Sequence, residues 1–299
     1  RPTCQWSKKW REVIMMSDQE LREIAKVTAV EQGAFLLQVM KSPFRLHLDA
    51  RRDETPMDGL VATNITEKLE RESGFPVYTE ESEKEEDGRI IAREREETHW
   101  WVDSIDGTRR IQQNLPDWAV SIGLQREGVA YVGALCAPAY NKIFTAIQGK
   151  GAWVENIDSL DDAPKPISVS DLQGSDRRAL VGTTDTETMR DTYRAMGVRH
   201  GLDNIVGSLA LKIAMIAKGS SDIYLKYGAK ANAWDLCAVE VIVHEAGGYL
   251  TDLKGDPFRY DQPDPVFRNG LLSSNEKELA EHKKLCHLAR ELAPEKYRK

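Results

Sequence analysis

The sequence predicts an α/β (α+β) layered sandwich in which helices alternate with mixed sheets. The 299 residues are 41% hydrophobic and 30% charged, which is ordinary for a globular protein and sufficient for a large core. The middle of the chain alternates apolar runs with glycine-containing turns, a pattern typical of a β-meander. The later part alternates short strands with helical periodicity, without an internal repeat. These three observations favour sheets covered by helices.

Charge and cysteine content exclude several classes of protein. The net charge is −7 with neutral His, so no global basic field attracts nucleic acid polymers or an anionic membrane. The four cysteines form no C-x-x-C pair, which argues against a zinc site and a small disulfide framework. No apolar stretch reaches the roughly 20 residues of a membrane-spanning helix, and the first residues lack the apolar core of a secretory signal. We therefore expect a cytoplasmic protein.

The first elements are two helices and a series of strands. After an N-terminal extension, residues 1–16, the capping-box pair Ser17 and Glu20 precedes helical periodicity that ends near Met40. A second helix is predicted to follow Asn64. Strands are predicted at residues 75–79, 99–102, 119–124, 129–136 and 142–146.

The chain is predicted to divide into two halves at a loose, Pro- and Asp-containing stretch, residues 156–166. Residues 17–155 then form an α+β half with a metal site, and residues 167–299 form an α/β half with a substrate site. Residues 80–97 carry too much charge to be core. In the second half, strands are predicted near 180–182 and 223–225, and helices at 187–196, 208–218, 234–246 and 276–292.

The chemistry points to carboxylates, because phosphate-loop, serine-elbow and H-E-x-x-H signatures are all missing. An apolar strand leads directly into Asp103 and Asp106, followed by Gly107 and Thr108 at a helix start. Carboxylates at this spacing converge, and with the carbonyl of Ile105 they offer the oxygen ligands that Mg²⁺ prefers. Gly107 and Thr108 would face a bound phosphate. The alternative interpretation is structural, with one Asp capping the helix and the other in a turn.

Two further acidic groups lie at the ends of predicted elements. Glu80 and Glu81 follow a strand, and Asp235 begins a helix. Taken singly, each has an ordinary explanation, because acidic runs are usually solvated loops and Asp near a helix start favours the helix dipole.

In their order along the chain, these motifs resemble the inositol monophosphatase superfamily of magnesium-dependent, lithium-sensitive phosphomonoesterases. The resemblance rests on strand-E-E, W-V-D-x-I-D-G-T and W-D-x-x-A with E-A-G-G, and it extends from about Ser17 to Asn275. It implies a sugar-phosphatase-like fold and attack by a metal-activated water without a covalent enzyme intermediate. The implied metal shell consists of Glu80, Asp103, Asp106, Asp235 and the Ile105 carbonyl, and the implied catalytic residues are Glu81, Thr108 and Asp106.

The sequence departs from the family pattern at two positions. Asn64 stands where the family has an Asp that helps to hold a further magnesium, so we expect weaker binding of that metal and a higher magnesium requirement. This departure leaves open that the protein is a weakly active or inactive ligand-binding relative. Ser104 stands where the family usually has Pro, and a smaller effect is expected there.

Two lysines, Lys226 and Lys212, indicate which class of substrate to expect. The segment Tyr-Leu-Lys-Tyr-Gly, which contains Lys226, resembles the corresponding segment of the 3′(2′),5′-bisphosphate nucleotidases. A cation at this position suits a second phosphate, whereas a carboxylate suits a polyol hydroxyl. Gly107, Thr108, Ser208 and Lys212 complete the expected substrate contacts. The expected reaction is removal of the 3′-phosphate from adenosine 3′,5′-bisphosphate or a related sulfonucleotide. Hydrolysis of inositol or another sugar monophosphate is the alternative, in which both lysines are ordinary surface charges. Many relatives form homodimers, and pairing is left open here.

Overall fold

The computed structural model describes residues 16–41, 56–85, 89–184, 186–228 and 231–297. Almost all of the predicted N-terminal extension, residues 1–15, lies outside these ranges. The helices are α1 (Asp18–Lys41), α2 (Pro56–Ser73), α3 (Thr108–Gln112), α4 (Thr186–Ala195), α5 (Leu209–Ala217), α6 (Ala233–Glu245) and α7 (Leu279–Glu291). In the part of the chain so described, none of the helices has the length and apolar character needed to span a membrane.

Seven strands form the first sheet, in the same order in space as in sequence. They are β1 (Val77–Thr79), β2 (Thr98–Asp106), β3 (Ala119–Arg126), β4 (Val129–Ala137), β5 (Lys142–Ile147), β6 (Gly151–Glu155) and β7 (Lys165–Pro166). β1 runs parallel to β2, with Val77 opposite Trp100, and the later pairs are antiparallel. The predicted meander is confirmed. β2 is longer than expected and includes both Asp103 and Asp106, with a register shift between them.

The second sheet has four strands in the order β11, β13, β9, β8, and a separate strand pair joins β10 to β12. The strands are β8 (Ala179–Leu180), β9 (Ile223–Lys226), β10 (Ala231–Asn232), β11 (Tyr249–Thr251), β12 (Val266–Phe267) and β13 (Leu271–Ser274). Both sheets combine parallel and antiparallel pairs. The predicted layered sandwich of helices and mixed sheets is therefore confirmed.

Helix α6 occupies the middle of the molecule. It packs against β3 and β4 on one side and contacts α5 and β11 as well. A Cβ atom at Gly123 would lie 2.5 Å from the Ala238 nitrogen, and one at Gly133 would lie 2.3 Å from the Ala238 oxygen. The helix backbone thus rests directly on two glycines of the sheet, which fixes the position of its second turn.

The division into two halves at residues 156–166 stays a prediction. Strand β7 ends the first sheet at Pro166, at the end of this stretch. Helix α6, from the second half, covers the first sheet. The two halves therefore share a packed layer.

The acidic segment differs from its prediction as solvated loop. Glu83 is fully buried and accepts hydrogen bonds from the guanidinium groups of Arg93 and Arg95. Arg95 also stacks over Trp101, with its Cζ 4.7 Å from the ring centroid. Charge alone suggested exposure, but these opposite charges neutralise one another inside the fold.

Replacing Glu83 by Gln is expected to lower the free energy of unfolding by about 3 kcal/mol, because it leaves two closely spaced guanidinium groups without a counter-ion. Urea unfolding measures this loss. The matched control is Glu85→Gln on the same segment, where the exposed partner Arg89 lies 2.6 Å away and about 0.5 kcal/mol or less is expected. Equal losses in the two variants would contradict a buried network.

Candidate active site

The ends of β1, β2 and α6 meet at one cleft of about 360 Å³. Parallel pairing of β1 with β2 brings residue 80 beside the end of β2, where the Glu80 nitrogen donates to the Val102 carbonyl oxygen at 3.1 Å. Close packing of α6 on β3 and β4 brings its N-terminus to the same place. The described residues that line the cleft are Glu80, Asp103, Ile105, Asp106, Gly107, Thr108, Arg109, Arg110, Thr183, Gly207, Leu209, Lys226, Asn232 and Asp235.

Asp103 lies at the floor of the cleft and is only 3% exposed. One of its carboxylate oxygens accepts from the Ile105 nitrogen at 3.0 Å, which folds the turn toward Asp106. Burial raises the pKa of Asp103 well above its usual range, and the neighbouring carboxylates Glu80, Asp106 and Asp235 raise it further. This acid therefore sits in a concentration of negative charge.

Asp106 links the cleft to the start of α5. Its carboxylate accepts from the Ser208 hydroxyl at 2.5 Å, from the Leu209 nitrogen at 3.2 Å and from the Ala210 nitrogen at 2.6 Å. Ser208 is fully buried and caps α5, since its own oxygen accepts from Leu211. Ser208 thus acts on Asp106 in this structure, and its contact with substrate stays a prediction.

Asp235 serves both the helix and the cleft. Its Oδ2 accepts from the backbone nitrogen of Asn232 at 2.6 Å, which forms a capping box at the start of α6. Burial raises the pKa of Asp235 to about 7, and the carboxylates of Glu80 and Asp106 add to this increase. The structural and functional interpretations of this Asp therefore both apply.

Glu81 lies behind the cleft, next to the cleft-lining Glu80. Its Oε1 accepts from the Ser104 hydroxyl at 2.7 Å, whereas its buried Oε2 has no hydrogen-bond partner among the described residues. Burial raises the pKa of Glu81 to about 7. Ser104, expected to matter little, thus orients this carboxylate, a role that Pro cannot have.

Thr108 contacts an acid that the sequence analysis missed. Its hydroxyl lies 2.9 Å from Asp58 Oδ1 and 3.0 Å from the Ile105 carbonyl oxygen. Asp58 belongs to α2 and is 3% exposed. An acid on an inward-facing helix position is the signal that could have identified it, because a buried carboxylate needs a partner.

Asn64 is not at the cleft. Helix α2 begins at Pro56 rather than after Asn64, so this residue lies within the helix, and Pro is favoured at a first helical position. The Asn64 amide nitrogen contacts Gln32 Oε1 on α1 at 3.4 Å. Asn64 is not among the described cleft-lining residues. This geometry lends no support to a place for Asn64 in the metal shell, and both that role and the weakly active relative inferred from it stay predictions.

Lys212 does not reach the cleft either. It is 2% exposed, and its ammonium group donates to the carbonyl oxygens of Val206 and Gly207, each at 2.9 Å. Burial lowers the pKa of Lys212 to about 7. This lysine supports the turn that precedes α5, and its direct contact with substrate stays a prediction.

The donor chemistry of the cleft fits a hard divalent cation. Within the described ranges, no three His, Cys, Asp or Glu side chains are already arranged as a metal site. The cleft nevertheless brings together five groups with oxygen donors, namely Glu80, Asp103, Asp106, Asp235 and the Ile105 carbonyl. Burial first and the neighbouring carboxylates second raise the pKa of Asp103 and of Asp235, and a bound cation would relieve the repulsion among these acids.

Comparison with known proteins gives likenesses over most of the chain. A sequence profile described as the Inositol monophosphatase family matches residues 17–292. Histidinol-phosphatase of Mycobacterium tuberculosis is 31% identical over 230 residues, covering 74% of this chain and 83% of that protein. Inositol monophosphatase 1 of Homo sapiens is 27% identical and covers 88% of this chain and 92% of its own length.

Solved structures share the fold. The inositol monophosphatase from Anabaena (Nostoc) superimposes with a TM-score of 0.68 at 24% identity and covers 93% of this chain and 98% of its own. CysQ from Bacteroides thetaiotaomicron superimposes with a TM-score of 0.66 at 21% identity, covering 85% and 97% of the two chains. At these identities the likeness shows the architecture alone.

Proposed function

Since the chain belongs to the inositol monophosphatase family, a family of phosphatases, we propose that it is a magnesium-dependent phosphomonoesterase acting on a substrate with two phosphates. The proposed reaction removes the 3′-phosphate from adenosine 3′,5′-bisphosphate or a related sulfonucleotide. The single observation that carries this proposal is the composition of the cleft. Acids line it together with three cations, Arg109, Arg110 and Lys226.

The cations distinguish among substrate classes. A second phosphate is attracted by Arg109, Arg110 and Lys226, because charge-assisted hydrogen bonds to phosphate are the stronger kind. The ammonium group of histidinol phosphate would be repelled by the same three groups. A sugar or inositol monophosphate offers only hydroxyls to them and remains the second candidate, supported by the inositol monophosphatases among the relatives.

The chain's own residues divide the work of the reaction. Glu80, Asp103, Asp106, Asp235 and the Ile105 carbonyl would hold Mg²⁺, which when bound polarises the phosphate and acidifies a water.

Orientation of the attacking water is assigned to two side chains, the Thr108 hydroxyl and the Glu81 carboxylate. Asp58 fixes the first and Ser104 fixes the second. Both are held before substrate arrives, so little reorganisation accompanies the reaction.

A substrate panel tests this proposal. Phosphate release is measured from adenosine 3′,5′-bisphosphate, inositol 1-phosphate and histidinol phosphate, each with millimolar Mg²⁺ and again with EDTA. We expect kcat/KM to be about 10-fold or more higher for the bisphosphate, and no release with EDTA. A preference for inositol 1-phosphate would overturn the substrate assignment, and release in EDTA would overturn the metal requirement.

Two substitutions on α2 should differ in their effect on activity, one reducing it strongly and the other leaving it nearly unchanged. Asp58→Asn keeps an acceptor for Thr108 but removes the charge, so kcat should fall by about 100-fold. Asn64→Asp adds charge at the α1 contact and should leave the magnesium concentration for half-maximal rate within about twofold of the wild-type value. Magnesium titrations of both variants measure kcat and the magnesium concentration for half-maximal rate. A lower magnesium requirement in Asn64→Asp would support the original role for this position.

A further inference from the structure

Arg110 is held rigidly at the wall of the cleft. Its Nε lies 2.9 Å from both carboxylate oxygens of Asp117, and its Nη1 donates to Gln113 Oε1 at 3.2 Å. The Asp117 side chain is 6% exposed and that of Arg110 is 19% exposed. This half-buried ion pair therefore holds the Arg110 side chain in one orientation.

The same carboxylate fixes the opposite element. Asp117 Oδ2 also accepts from the Gly207 nitrogen at 2.5 Å, and the Asp117 carbonyl accepts from the Ser208 nitrogen at 3.2 Å. Gly207 lets the arginine pass, because a Cβ atom there would lie 2.3 Å from Arg110 Cγ and Cδ. Asp117 and Gly207 therefore set the path of the Arg110 side chain before any ligand binds.

Part of the guanidinium group is available to a ligand. Within the described part of the chain, Arg110 Nη2 has no hydrogen-bond partner, and Arg110 lines the same cleft as Lys226. Burial is the main cause of the lowered pKa of Lys212, and the positive charges of Lys226 and Arg110 lower this pKa further. Both cations thus act on the same region beside the start of α5.

We propose that Arg110 is a specificity-determining residue that binds the substrate phosphate that is not hydrolysed, together with Lys226. The identity of the ligand rests on the proposed function. Asp117 and Gly207 are positioning residues for this contact, because they hold Arg110 and do not themselves need to touch the phosphate. An arginine fixed in advance loses little side-chain entropy on binding, and its positive charge favours phosphate over a neutral group.

The product of the proposed reaction, adenosine 5′-monophosphate, tests this without any turnover. Its Kd is measured by calorimetry with Mg²⁺ present, beside that of adenosine. Arg110→Gln should weaken binding of the monophosphate by about 10-fold or more and leave adenosine unchanged, since only charge-assisted contacts to phosphate are lost. Arg199→Gln, an exposed arginine that is not among the described cleft-lining residues, is the matched control with no expected change.

A second variant separates binding from folding. Arg110→Gln combined with Asp117→Asn removes both charges together, so no buried carboxylate is left without its partner. We expect this double variant to show the same loss of affinity as Arg110→Gln. Affinity within twofold of the wild-type value in either variant, or equal wild-type binding of adenosine and its 5′-monophosphate, would overturn the assignment.

The two proposals fail in different ways. A chain that binds adenosine 5′-monophosphate through Arg110 but does not hydrolyse the bisphosphate would retain the phosphate contact and lose the proposed function. A chain that hydrolyses the bisphosphate equally well with Arg110→Gln would retain the function and lose the contact.

Discussion

Replacing Asp103 by Asn is expected to reduce kcat/KM for phosphate release by about 1,000-fold at saturating Mg²⁺. The amide is nearly the same size and still accepts from the Ile105 nitrogen, so the turn is preserved. What is lost is the negative charge at the floor of the cleft, where the donor set for the cation converges. Steady-state phosphate release measures the effect.

The same variant should be more stable than the wild type in EDTA. Asp103 is buried beside Glu80, Asp106 and Asp235, and removing one of four crowded charges relieves their repulsion. Asp252→Asn is the matched control, because Asp252 is also a buried Asp that accepts backbone hydrogen bonds in a turn, away from the described cleft residues. Equal activity losses in the two variants would indicate a folding defect and contradict the role of Asp103.

Replacing Lys226 by Glu is expected to raise KM for adenosine 3′,5′-bisphosphate by about 30-fold while leaving KM for inositol 1-phosphate within threefold. The physical reason is the loss of a cation that lines the cleft and would attract the second phosphate of this substrate. Initial rates over a range of both substrates measure the two values.

Two further variants make the Lys226 test specific. Lys226→Gln removes the cation without adding an acid beside Asp235, and it should show a smaller loss for the bisphosphate alone. Lys218→Glu, an exposed position outside the described cleft lining, should behave like the wild type. A similar rise in KM for both substrates would mean that Lys226 supports the cleft in general and does not select the second phosphate.

The order of the acids along the chain predicted the cleft well. Asp103 and Asp106 were predicted beside each other because a strand ends there, and the structure lines the same cleft with Glu80 and Asp235. Each of these residues lies at or near the end of an element, where sequence patterns are informative. The resemblance supplied what spacing could not, namely that three remote segments come together.

Residues within helices were harder to place. Asp58 and Asn64 are six positions apart on α2, which corresponds to about 600° of rotation, so they point about 120° apart and cannot both face Thr108. A helix start placed after Asn64 concealed this relation. The surroundings of Lys212 were not predictable either, because α5 is buried between neighbouring layers and its lysine meets backbone carbonyls instead of solvent.

The charged segment, residues 80–97, shows that composition alone is insufficient to predict which side chains are buried. In the sequence, the charges of Glu83, Arg93 and Arg95 suggest a solvated loop. Glu83 and Arg95 are nevertheless almost completely buried, because these charges pair across the loop. Pairing depends on how the loop closes on itself, and no local pattern expresses that. The same loop carries Glu80, so this network also holds one acid at the cleft.

The most direct test of the account is a crystal structure of the wild-type protein grown with Mn²⁺ in place of Mg²⁺, with anomalous scattering used to locate the ions. We predict anomalous peaks inside the cleft, in contact with carboxylates of Glu80, Asp103 and Asp235. Peaks only at other sites, or none in a crystal soaked at millimolar Mn²⁺, would contradict the claim that these acids share a bound cation.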